Sequence, residues 1–73
     1  MGRAAVIGEA LRVQGYALAG AVVCPAEDEV AARAAWWSLP ADVTVVVVTA
    51  RAAAWLGGEL TARPQLLPVV MPE

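Results

Sequence analysis

The order of apolar runs and breaks at the start of the chain leaves few folds open to it. Ala5-Val6-Ile7 runs into Gly8-Glu9, a stretch with helical spacing follows, and a second apolar run, Ala21-Val22-Val23-Cys24, begins directly after Gly20. A strand, a turn, a helix, a glycine stop and another strand make a unit in which the helix carries the chain back, so the two strands run parallel.

The same alternation continues to the end. The spacing predicts a first strand over about 3–7 and a helix over about 9–18, with Leu11, Gly15 and Leu18 on one face at i, i+4, i+7. Gly15 costs roughly 1 kcal/mol relative to alanine inside a helix, a cost offset if the backbone lies close against the sheet. After the second strand, Pro25 stands near the start of a second helix, where its missing N–H does little harm. Glu27, Asp28 and Glu29 crowd the first turn, which the helix dipole favours, and Glu29 and Arg33 form an i, i+4 pair in the favourable order. Val30, Ala34 and Trp37 read as the buried face, and Pro40 closes the region. A third strand over 43–48 is apolar on both faces, as a central parallel strand is. Thr49 is placed to cap a third helix, about 50–60, with Ala53, Leu56 and Leu60 as its core stripe. The last strand, about 67–71, carries Pro68 and is followed by Pro72, which puts it at an edge.

The expected architecture is therefore one α/β domain over residues 1–73, βαβαβαβ in three layers around a four-stranded parallel sheet. Right-handed crossovers and the two strong central candidates, strands one and three, favour the flavodoxin-like order 2-1-3-4.

Composition narrows function mainly by exclusion. A net charge of −2, five scattered arginines and no lysine or histidine leave no basic patch for a nucleic acid. The single cysteine, Cys24, ends an apolar run and reads as a small buried hydrophobe in a reducing compartment. No apolar run approaches the roughly 20 residues that span a bilayer, and the opening lacks a signal-peptide pattern. Val6 stands where a myristoylation pattern wants Ser or Thr. The expectation is a protein of the cytoplasm without direct membrane insertion.

In open α/β sheets ligands bind beyond the carboxyl ends of the central strands, here near Gly8-Glu9 and Thr49-Ala50. After Gly8 the next glycine is Gly15, so the dinucleotide fingerprint fails, and without lysine so does a phosphate loop. A phosphoacceptor receiver needs an acidic cluster, a strand-end aspartate and a lysine, of which only Glu9 qualifies. One cysteine and no histidine build no zinc site, and consecutive acids such as Glu27-Asp28-Glu29 point in different directions on a helix. Thr49 has no base beside it and reads as a cap. No cofactor, no metal and no catalytic residues of its own are expected.

Four segments in register resemble the F subunits of the V-type and archaeal A-type rotary ATPases. Val6-Ile7-Gly8-Glu9 is similar to that family's strand-ending turn, and Gly15-Tyr16-Ala17-Leu18-Ala19-Gly20 to the end of its first helix. Val45–Val48 with Thr49 is similar to its third strand, and Pro68-Val69-Val70-Met71-Pro72 to its last. Ala10-Leu11 stands where the family usually has a second acid, and the resemblance is to a short version without the C-terminal extension. It implies a non-catalytic central-stalk component of a proton- or sodium-translocating rotary ATPase. Such a component binds the coiled-coil shaft and other stalk subunits at the cytoplasmic face of a membrane. The alternatives are a stand-alone regulatory or interaction module of receiver-like topology and a small enzyme domain acting only in an oligomer.

Protein-interface candidates come from position. Tyr16, Trp36 and Trp55 fall off the expected core stripes and are candidate partner anchors. Counting layers gives a second group. The first helix covers one face alone and the other two cover the opposite face, so strands three and four lack a cover on one face. That face is lined by Val43, Val45, Val47 or Thr44, Val46, Val48 and by Leu67, Val69, Met71 or Pro68, Val70; Val69 and Met71 are the candidates taken from it. Burying about 400 Å² there is worth on the order of 10 kcal/mol before association costs, which predicts a homodimer in isolation.

Overall fold

The computed structural model describes residues 2–14 and 20–71. Its elements are β1 (Arg3–Gly8), α1 (Ala10–Val13), β2 (Val22–Pro25), α2 (Glu29–Trp37), β3 (Val43–Val48), α3 (Ala50–Leu56) and β4 (Leu67–Val70), with a 3₁₀ helix, Gly57–Thr61, after α3. All strand pairs are parallel and the sheet order is β2-β1-β3-β4, the expected small α/β arrangement. No helix among the described residues is long and apolar enough to cross a membrane.

The sheet has two unlike sides. On one, α2 packs against β1 and β2, and α3 against β1 and β3. Ala5 and Ile7 of β1, Val46 and Val48 of β3, Ala32 and Trp36 of α2, and Ala52 and Leu56 of α3 form one buried cluster there. On the other side α1 packs on β1 and β2, where Val6 and Val13 are buried.

Helix boundaries follow local chemistry. Asp28 caps α2 by accepting from the Ala31 N–H at 2.8 Å, and Thr49 caps α3 by accepting from the Ala52 N–H at 3.2 Å. Only Glu29 of the three consecutive acids lies in the first turn of α2. The third helix is shorter than its spacing suggests because Gly57 takes φ of 51°, ending the α-helical run where only glycine does so without strain. Its expected stripe is shifted: Ala52 and Leu56 are buried while Ala53 and Leu60 are half-buried. On α1, Leu11 is 83% exposed and Val13 takes the inward position. Gly15 and Leu18 of that expected face lie outside the described residues.

The largest correction concerns α2. Val30 is 77% exposed, Ala34 is exposed and Trp37 is 51% exposed, whereas Trp36 is fully buried. The helix is turned by about 100°, one residue, from the expected phase. Ala31, Ala32 and Ala35 lie in or against the buried cluster with Trp36, so the inward side of α2 carries small residues and one large one. A helix apolar on two sides offers two periodic readings, and packing volume chooses between them.

Candidate functional site

The place to look for ligand chemistry is the carboxyl end of β1 and β3, where the strand order reverses. Gly8 ends β1 and Thr49 follows β3, and the Thr49 hydroxyl donates to Glu9 Oε1. Thr49 is buried, and the same oxygen accepts from Ala52 N–H, so its donor and acceptor capacities are both used. The Thr49 bond, helped by Arg51 and Arg12, holds the Glu9 carboxyl below the usual glutamate range against the opposing effect of desolvation. From the β2 side Glu27 Oε2 accepts from the Ala10 N–H at 2.7 Å, satisfying an orphan donor at the start of α1.

Gly8 makes the latch possible. A Cβ at this position would fall inside the van der Waals envelope of the Thr49 Cγ2 and Oγ1 atoms. Threonine and glycine thus fit together across β1 and β3, and the switch point is filled by the chain's own side chains. No pocket opens there or elsewhere among the described residues, and no group of His, Cys, Asp and Glu among them has metal-site geometry. Burial raises the Cys24 thiol, which suits a packed side chain and not a thiolate nucleophile.

A polar network lies on the outer side of α2. Glu59, from the 3₁₀ helix, accepts the Trp37 indole N–H through Oε1 at 2.7 Å and pairs with Arg33 Nε through Oε2 at 2.5 Å. Arg33 also reaches Glu29 at 2.8 Å. Arg63 places its guanidinium carbon 5.8 Å from the Trp37 ring centroid and donates to the Trp36 carbonyl at 2.8 Å. Trp37 is therefore held in one orientation while half its surface faces outward. With Val30 and Ala34 it forms an exposed apolar stripe at i, i+4, i+7.

Compared with family models, curated proteins and solved structures, the chain matches none.

The interface candidates named from sequence fare unequally. Tyr16 lies outside the described residues. Trp36 is a core residue and not a surface anchor, for the packing reason given above, and its Nε1 is buried without a partner. Trp55 is half-buried and packs against the core cluster. Val69 is 44% exposed and Met71 half-buried, on the side of the sheet opposite α2 and α3. Sequence reading missed Trp37 as a surface residue, and with it the partners that hold it. The Glu29–Arg33 pair was legible from spacing, but Glu59 joins it only after α3 and the 3₁₀ helix fold back beside α2.

Proposed function

We propose that the chain is a non-catalytic central-stalk component of a V-type or A-type proton- or sodium-translocating rotary ATPase, acting by binding the coiled-coil shaft at the cytoplasmic face of the membrane. The observation that carries this reading is a division of labour on the surface. The position where such sheets bind small molecules is closed by Thr49, Glu9 and Gly8, while α2 presents Val30, Ala34 and Trp37 outward in a single stripe. A stripe at i, i+4, i+7 with alanine in the middle suits a partner helix, since the small residue lets the two backbones approach. Trp37, already oriented by Glu59 and Arg63, would bury an aromatic anchor with little further loss of freedom.

The sequence resemblance gives the partner its name, and three of its four segments meet in space, the last strand, with Pro68, Val69 and Val70, pairing with Val46–Val48 along β3 and β4. Val6-Ile7-Gly8-Glu9 and Val45–Val48 with Thr49 pair along β1 and β3 and are tied at their ends by the Thr49–Glu9 bond. The test is co-purification with the coiled-coil shaft protein of the same organism, in the wild type and in Trp37→Ala. A complex that the substitution weakens at least tenfold supports the reading. Absence of a complex at tens of micromolar overturns it, and phosphate transfer to Glu9 from acetyl phosphate would favour the receiver-like regulatory module instead.

A further inference from the structure

On the side of the sheet opposite α2 and α3, the described helix α1 packs mainly over β1 and β2. On β3 and β4 the side chains of Val45, Val47, Leu67, Val69 and Met71 share that face, as the register Val45↔Leu67 and Val47↔Val69 requires. Leu67 is 61% exposed, Val69 is 44% exposed, and the other three are half-buried. Ala4, exposed and paired with Val45, extends the strip onto β1. We infer that this strip is the seat of a second copy of the same chain, packed face to face across a twofold axis.

Three observations choose that occupant. First, the sheet is closed to extension at both edges. The Ala26 N–H donates to the Gly8 carbonyl and the Met71 N–H to the Val48 carbonyl, so by the period of two Pro25 and Pro68 take outward positions. Both edge strands thus carry a proline where an outward donor would stand, which blocks growth of a continuous sheet through an added strand. Association through a face is favoured over association through an edge. Second, none of Val45, Val47, Leu67, Val69, Met71 and Ala4 is charged. Under a twofold axis residues near the axis meet their own copies, so an uncharged strip is the kind that tolerates this, whereas a strip built for a charged partner is not.

Third, the area matches a weak symmetric contact. These exposures amount to roughly 300 Å² of apolar surface per copy, against the ~800 Å² per partner of a standard stable interface. Twice that area lies below what a stable interface buries, so the strip supports only a weak, reversible dimer. Sheet faces pack about 10 Å apart, and two strands are about 10 Å wide, so the strips of two copies fit one another without help from the helices. This inference is independent of the stalk reading, because it concerns the chain alone and a different surface from the α2 stripe.

Sedimentation of the purified chain from about 10 μM to 1 mM tests it. The wild type is expected as a reversible monomer–dimer equilibrium, with Val69→Glu weakening dimerisation at least tenfold. Val70→Glu, the adjacent residue on the opposite face, is expected to leave it unchanged. Leu67→Ser serves in place of Val69→Glu if circular dichroism shows that variant to be unfolded. A wild type monomeric at the highest concentration overturns the inference, as does a dimer that Val70→Glu or Val30→Glu disrupts as strongly as the strip variants. Capture of the shaft protein bears on neither outcome.

Discussion

Neighbouring valines on β3 live in different environments. Val46 and Val48 are sealed beneath α2 and α3, while Val45 and Val47, on the same strand and of the same residue type, remain half-exposed. On β4 the contrast fades, since Leu67 and Val69 on one side are 61% and 44% exposed and Val70 on the other is 53% exposed. Residue type does not distinguish the two faces. What does is the direction of the crossovers: two of the three connecting helices lie on one side, and the third packs mainly on β1 and β2 among the described residues. Hydrophobicity makes a strand fit for burial, and topology decides whether the burial happens.

The comparison breaks most easily at its extremes. Trp36→Ala, at the centre of the covered side, is expected to cost about 3–5 kcal/mol and to unfold a domain of this size, whereas Leu67→Ala on the open side costs under about 1 kcal/mol. Chemical denaturation of the two variants measures this, and equal losses would mean that the open face is covered. Trp36→Phe is expected to fall well short of the alanine loss, since it also removes the buried indole donor that has no partner.

Gly8→Ala tests the carboxyl end that both faces share. The added methyl group collides with Thr49, and the loss is expected at about 2–3 kcal/mol in thermal unfolding. Thr49→Ser, which keeps the hydroxyl and removes the colliding Cγ2, should recover part of it in the double variant. The same pair of faces is compared at one-residue resolution by Val46→Ala, at about 2 kcal/mol, and Val47→Ala, at about half that.

The smallest effect is a pH dependence. Glu9 and Asp42 both titrate below the ordinary carboxylate range, Glu9 through the Thr49 hydroxyl and Asp42 through its paired hydrogen bonds with Arg3. A carboxyl group with a lowered folded-state pKa contributes stability that is fully present above its unfolded value. That contribution fades as pH falls through the folded one. Stability should therefore be flat near neutrality and decline as acid is added below the ordinary carboxylate values. Glu9→Gln should make the decline shallower, and an unchanged slope would show that the Thr49 bond is not formed in solution.

Much of the fold was legible from sequence because its signals were local. Val43–Val48, the Thr49 cap, Pro68 at an edge and the 2-1-3-4 order all follow from runs, caps and breakers that involve a few adjacent residues. The phase of α2 was not legible, since Val30/Ala34/Trp37 and Ala32/Ala35/Trp36 are both apolar sets at helical spacing and only tertiary packing separates them. The network on Trp37 was missed for a related reason: Glu59 lies 22 residues away and arrives by tertiary folding. That one helix packs on one face and two on the other could, by contrast, be counted from connectivity alone, which left open which alternate residues of β3 and β4 lie there.

The strand order carries a consequence for the order of events during synthesis. Of the four strands β1 leaves the ribosome before the others, yet it is an interior strand whose neighbour β3 begins 40 residues later, at Val43. The Thr49–Glu9 bond spans the same interval. An early β1–α1–β2 fragment therefore holds a strand with one side unsatisfied, and it gains its second set of hydrogen bonds only when more than half of the chain has emerged. The nascent N-terminal half has to wait for its own sequel, and folding of this domain is a late, collective step rather than one that advances with the growing chain.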